Sequence, residues 1–393
     1  MTERLAVLLH READTLSIPP APVDRIVNNG RQRSRRRRAG QGMIGLTIVC
    51  VLGAALSPLV VGRDETPAQR QYVAASASEA YQRYGAFSTG STVHIGNHDV
   101  TLPGKVKALY YTSLGVLVRT GASASTDSAG PSHYTLIHPD GSTKGIDLRM
   151  GDRVPGTDPS SPDVAYAEPT GDHWSLVVVS LVTGTEVART QVDGAFTWGG
   201  WEAPPVTLYS DRMAALFDRG WVEFDWTAGT TRTIPGTAGA PLDAANGRYA
   251  LHHDSGSPDW RIYGFDSTGL IRTIPVATAP PSSTLEGPFG TEYGTFSPDG
   301  RYVRLESNGA VFGPGNKVVS EPGPDRFVSV ETGTSVRISG QRFYGWTPQG
   351  RTLSVDAEHD TITTCDPGTG ACQSVHAHVG AGSVKLGGLS YES

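Results

Sequence analysis

Three histidine pairs, His94/His98, His252/His253 and His376/His378, have the residue type and close spacing from which folding can assemble a metal site. His376 and His378 lie two apart and so would share one face of a strand, yet histidines scattered on exposed strands follow the same pattern without any ion. Trp198, Trp201, Trp221 and Trp226 fall within 29 residues and offer an aromatic platform for a sugar or peptide, although packing between sheets uses the same side chains. Asp218, Glu223, Asp225, Asp254 and Asp259 stand near expected strand ends, where they suit either a cation or a solvated acidic rim.

Familiar catalytic arrangements are missing from the sequence. There is no G-x-S-x-G nucleophile elbow, no H-E-x-x-H, no phosphate-binding P-loop and no EF-hand loop. The Ser-x-Asp-x-Gly-x-Thr box of sialidase-like propellers is also missing, because Ser297-Pro298-Asp299-Gly300-Arg301 places glycine next to aspartate. No catalytic residue, cofactor or metal is therefore assigned. Of the three cysteines, Cys50 sits in an apolar run, whereas Cys365 and Cys372 bracket the turn-rich DPGTGA. A short hairpin would bring this pair face to face, and a disulfide is expected in an oxidising compartment.

The elements that must carry these residues read as strands. From Ser91 onward the chain consists of short Val-, Ile-, Tyr- and Thr-rich runs separated by Gly, Pro, Asn and Asp, an all-β texture. Hairpins are predicted around Gly96-Asn97, Asp140-Gly141 and Thr183-Gly184, and no helix of ordinary length is expected after Gly85. A turn followed by an apolar strand recurs as SSPDVAYA from Ser160, YSDRMAALF from Tyr209, AANGRYALHH from Ala244, FSPDGRYVRL from Phe296 and WTPQGRTLSV from Trp346. The starts are 49, 35, 52 and 50 residues apart.

A period of about 40 to 50 residues with about four strands per unit predicts the blades of a β-propeller. The units fall near 105–149, 152–196, 205–235, 240–275, 290–338 and 340–378, which gives six blades. The hairpin Thr92 to Leu102, or a closing strand around Val384 to Leu386, is expected to complete the ring by mixing strands from the two ends of the chain, with a seventh blade as the alternative count. Ala279 to Glu286, with two prolines, reads as a surface loop.

Ahead of the strands lies a stretch from Ala39 to Gly62 without a charged residue, whose apolar part runs from Met43 to Val61. Nineteen helical residues span about 28 Å, close to the hydrocarbon thickness of a bilayer, so residues 43–62 are expected to form one transmembrane helix. Arg31, Arg33, Arg35, Arg36, Arg37 and Arg38 precede it directly, and residues 1–42 hold nine Arg against four acids. Residues 63–393 hold 24 basic and 35 acidic side chains. The arginine bias places Met1 in the cytoplasm and the larger part outside, with the run retained as a signal-anchor. The acidic outer part offers no basic face for nucleic acid.

Residues 1–42 form a basic leader with two short amphipathic patches, around Leu5, Leu8 and Leu9 and around Val23, Ile26 and Val27. Residues 63–90 read as a stalk whose helix is capped at Thr66, started at Pro67 and closed by Gly85, and residues 91–393 as the extracytoplasmic propeller.

The phrases SPDGR, TPQGR and AANGR resemble the repeats of TolB-type and WD-type propellers. Basic leader, single span, blades and a late TTCDPGTGAC pair together resemble membrane-anchored propeller proteins of high-GC Gram-positive bacteria, some of which accompany extracytoplasmic-function sigma factors and are treated as anti-sigma-like. That resemblance implies a sigma factor as cytoplasmic partner. The zinc anti-sigma motif of His and paired Cys is nonetheless absent from residues 1–42, where His10 stands alone. The expected function is a non-catalytic binding or sensory module for a protein, peptide or envelope glycan at the cell membrane. The alternatives are a propeller-type hydrolase or lyase and an anti-sigma-like regulator acting through the leader.

Overall fold

The computed structural model describes residues 76–389 apart from short internal stretches, among them 126–129, 198–201, 253–258, 265–269 and 276–291. The chain divides into two units, Met1–Glu65 and Thr66–Ser393. The basic leader with its arginine run and amphipathic patches, the 43–62 span and Cys50 lie outside the described residues, as do the Thr66 cap and the loop 279–286. No described helix is long and apolar enough to cross a membrane.

The described chain opens on a helix, Ala77–Tyr84, whose start is set by a capping box at Ser76. The Ser76 hydroxyl accepts from the Glu79 N–H at 3.2 Å, and the Glu79 carboxylate accepts from the Ser76 N–H at 2.8 Å. Gly85 ends it, as its sequence position predicts. The helix is docked on the sheets: Tyr81 is buried, and its hydroxyl donates to the Gly115 carbonyl at 2.8 Å. No described residue after Gly85 is helical.

The regular elements described after that helix are all strands, which form seven four-stranded antiparallel sheets and one two-stranded hairpin among the described residues. The six predicted units each supply one sheet, which we number blades 2 to 7. Blade 1 is the mixed sheet, in which Val384–Leu386 lies against Ala86–Thr89, followed by Thr92–Ile95 and His98–Thr101. The propeller therefore begins at Ala86, inside the expected stalk, because Phe87 pairs with Leu386 and Thr89 with Val384. The hairpin of Val311–Gly313 and Lys317–Ser320 is inserted between the second and third strands of blade 6.

Among the described residues the ring closes through seven apolar clusters, each spanning two neighbouring blades, with Tyr81 of the helix joining the one between blades 1 and 2. Leu117 and Leu136 of blade 2 meet Val164 and Val177 of blade 3, for example, while Leu176 and Val178 of blade 3 turn the other way onto Met213 and Phe217 of blade 4. The seventh cluster sets Leu353 and Ile362 of blade 7 against Phe87 and Leu386 of blade 1. Every blade is thus covered on both faces, which explains why strands such as Leu176–Val179 are apolar without alternation. Tyr111 fastens the joint. Its hydroxyl accepts from the Ala86 N–H at 3.0 Å and donates to the Trp346 carbonyl at 2.6 Å, so blade 2 holds both ends of the closure.

Cys365 and Cys372 face each other across the outer hairpin of blade 7 and form a disulfide, with Cα atoms 4.0 Å apart. Asp366 shapes the loop between them by accepting from the Gly368 N–H at 2.7 Å. Closing so short a loop stabilises the folded chain by about 2 kcal/mol. Dithiothreitol is expected to lower the thermal midpoint of the native chain to that of Cys372→Ser and to leave the double serine variant unmoved. Equal midpoints for oxidised and reduced protein would contradict this.

Candidate functional site: the channel end and its turns

All five occurrences of the recurring phrase occupy one structural position, the turn between a blade's innermost strand and its second strand. In blade 6 the Ser297 hydroxyl donates to Asp299 Oδ1 at 2.6 Å, and the Gly300 N–H donates to the Ser297 carbonyl at 2.7 Å. Gly300 has φ +65°, a conformation other residues resist, and a side chain there would meet the Ala245 carbonyl of blade 5. The turns of blades 5, 6 and 7 are consequently in contact: Asn246 Nδ2 donates to the Asp299 carbonyl at 2.8 Å, and Arg301 Nη2 donates to the Gln349 carbonyl at 2.6 Å.

Beneath these turns the innermost strands enclose a channel end of about 70 Å³, lined by Tyr110, Tyr111, Pro155, Val206, Ala245 and Pro298 among others. Its lining carries no ionisable group other than phenols. Asp158 is next to this lining but turned into the protein: it is 1% exposed, and Oδ1 accepts from the Ser160 N–H at 2.6 Å and the Ser160 hydroxyl at 2.5 Å. Its other oxygen is buried without a hydrogen-bond partner among the described residues. Burial pushes its pKa above the ordinary 3.8, the Ser160 hydrogen bonds pull it back, and the Asp299 charge raises it further.

A carboxyl whose proton is held more tightly in the folded state contributes stability that is complete below its unfolded value and is lost as pH rises through its folded value. Asp158→Asn is therefore expected to be more stable than the native chain at pH 7, with the difference shrinking as pH falls toward 4. Denaturant unfolding at a series of pH values measures this, and a difference constant with pH would refute it.

The structure separates the residues that sequence spacing grouped. Trp221 is buried between blades 4 and 5, whereas Trp226 is half-buried and packs in the cluster of blades 3 and 4; Trp198 and Trp201 lie outside the described residues. The two described tryptophans serve blade packing and do not share an exposed platform. His94 is stacked on Phe87 with ring centroids 4.5 Å apart and bonded to Asp99 at 2.8 Å. His376 and His378 are exposed in blade 7, and His252 belongs to blade 5. Among the described residues no group of three or more His, Cys, Asp or Glu side chains is placed to hold a metal ion.

Two of the acids near Trp221, Glu223 and Asp225, are paired with arginines. Glu223 is buried and bonded by Arg232 at 2.9 and 3.2 Å, Arg212 lies 3.5 Å from both Glu223 and Asp225, and Asp218 accepts from Thr197. These bonds hold the outer strands of blade 4 together. Asp259 is half-buried, and Asp254 lies outside the described residues.

Comparison with solved structures finds propellers. The chain is similar to TolB from Acinetobacter baumannii at 14% identity over 65% of this chain and 63% of that one, with a TM-score of 0.37. AztD from Citrobacter koseri is matched at 11% identity over 76% of this chain and 97% of that one, with a TM-score of 0.42. The β-propeller domain of the Trilobed protease from Pyrococcus furiosus is matched at 9% identity over 72% and 83%, with a TM-score of 0.41. These likenesses concern the fold alone. No protein family and no curated protein sequence matches the chain.

What sequence reasoning missed is the contact between successive turns. The repeated arginine after the turn glycine, in Arg248, Arg301 and Arg351, was the signal that could have revealed it.

Proposed function

We propose that this chain is a membrane-anchored, extracytoplasmic β-propeller that works by binding, with a partner protein or peptide docking on the face where the turns between first and second strands converge. The observation that carries this reading is the channel end itself. It is small, walled by prolines, tyrosines and aliphatic side chains, and its flanking acid is turned into the protein, whereas the turns of blades 5, 6 and 7 are joined into one chemically varied surface. Such a surface suits recognition, and loops gathered on a rigid ring are where propellers place it. The disulfide at Cys365 and Cys372 fits an oxidising compartment, in keeping with the apolar 43–61 stretch and its preceding arginines as a single-pass anchor. The leader would then face the cytoplasm, where a partner such as a sigma factor is the reading that the sequence resemblance favours.

Capture of partners by the full-length chain from crosslinked membranes tests this proposal. A protein recovered with the native chain, and lost when the turns of blades 5 to 7 are altered, is the expected result. Turnover of a captured polymer that disappears in Asp158→Asn would replace this reading by a hydrolase or lyase, and a reporter after Ser393 found in the cytosol would remove the extracytoplasmic placement.

A further inference from the structure

Arg248, Arg301 and Arg351 follow the turn glycine in three successive blades, yet their charges are compensated unequally. Arg248 donates to the Asn246 carbonyl of its own turn at 3.3 Å. Arg301 is held by the Asp299 carboxylate at 2.5 Å and by the Gln349 carbonyl. Among the described residues Arg351 has as counter-charge only Asp366, at 3.9 Å, beyond hydrogen-bond length, and its Nε is buried with no partner. Asp366 Oδ1 accepts from the Gly368 and Thr369 N–H groups, and Oδ2 is the oxygen that faces Arg351.

Arg301 and Arg351 both line a groove of about 440 Å³ between blades 6 and 7, with Tyr302, Gln349, Asp366 and Pro367 as its other walls. A guanidinium shielded from water along one edge and only distantly paired attracts an anion at its open edge more strongly than one in bulk solvent. Its planar fork matches a carboxylate with two parallel hydrogen bonds. The aspartates decide between anions: Asp299 and Asp366 stand beside the two arginines, so a phosphate dianion or an acidic polymer meets repulsion that a single carboxylate largely escapes. Tyr302 and Pro367 provide apolar walls for the chain that carries the carboxylate.

We propose that this groove is a carboxylate-binding subsite in which Arg351 pairs with the free C-terminal carboxylate of a peptide and Arg301 supplies the second positive charge. Capturing a chain end in this way is an established mode of peptide recognition. The subsite deepens the binding reading and rests on it.

Calorimetric titration of the full-length chain with acetyl-trialanine, its C-terminal amide and inorganic phosphate tests the proposal. The free acid is expected to bind saturably and at least tenfold more tightly than the amide or phosphate. Arg351→Lys, which keeps the charge and loses the fork, should weaken the acid about tenfold, and Arg351→Gln should weaken it further with little change in thermal midpoint. Should Arg351→Gln fail to fold, Arg351→Lys and the acid–amide comparison decide. Equal affinity for acid and amide, preference for phosphate, no saturable binding, or unchanged affinity in Arg351→Lys would each overturn the subsite. Partner capture from membranes that persists alongside such a failure would leave the binding reading standing and remove only the carboxylate.

Discussion

A chain ending at Gly382 is expected to lose cooperative unfolding, because the strand removed is the one that closes the ring. Val384–Leu386 supplies the innermost strand of blade 1, and the residues after it bridge blades 7, 1 and 2: the Gly387 carbonyl accepts from the Trp346 N–H at 2.9 Å, the Gly387 N–H donates to the Ala86 carbonyl at 3.0 Å, and the Gly388 N–H donates to the Leu109 carbonyl at 3.4 Å. Gly90 in turn donates to the Ser383 carbonyl at 3.0 Å. With about 1 kcal/mol net for each backbone hydrogen bond, these and the strand ladder amount to about 4 kcal/mol or more, before counting the apolar surface of Phe87 and Leu353 left uncovered. Native domains have only about 5–15 kcal/mol in total.

Truncation should therefore broaden or abolish the thermal transition and open the edge of Ala86–Thr89 to proteases. A peptide of residues 383–389 added in trans is expected to restore protection by adding the missing strand. A truncated chain that melts as sharply as the native one, within a few degrees, would show that closure does not depend on this strand.

Breaking the buried ion pair of blade 6 is the other large effect. Arg304 Nε lies 2.8 Å from Asp325 Oδ2, both side chains are buried, and the guanidinium stands 4.8 Å from the centre of the Tyr344 ring. Asp325→Ala leaves a guanidinium in the interior without its carboxylate, and the expected loss is about 3–5 kcal/mol. Replacing both members by apolar residues of similar size, Arg304→Met with Asp325→Leu, should recover most of that loss, because no buried charge remains.

Tyr344 provides an independent readout. Its phenol is pushed up to about 12, chiefly by burial and then by the Asp325 charge, with Arg304 pulling the other way. Asp325→Ala removes a raising influence, so alkaline titration of tyrosine absorbance should show this group ionising at lower pH. An unmoved titration together with a loss below 1 kcal/mol would mean that the pair is not the centre of blade 6.

The features legible in the sequence are those with short-range causes. Proline, aspartate and glycine in Ser297–Arg301 form their turn from neighbours within five residues, so the phrase located the same joint in five blades. Cys365 and Cys372 were recognisable as partners because the turn between them is itself local. For Trp221 and Trp226 the sequence left a shared platform and blade packing both open, because proximity in sequence says nothing about which face of a twisted sheet a side chain takes; in the fold they belong to different blade interfaces. The acids Glu223 and Asp225 looked free for the same reason, since Arg212 and Arg232 reach them only once the strands of blade 4 are side by side.

By itself the sequence determined the strand content, the repeat and the turns, because backbone propensity and glycine and proline geometry act over a few residues. Only the tertiary structure decided that the ring has a mixed seventh sheet, that Tyr111 fastens it, and that Arg351 stands in a groove with its charge half answered. Each of these depends on residues brought together from distant parts of the chain, as Phe87 is with Leu386, and no local preference encodes such a meeting.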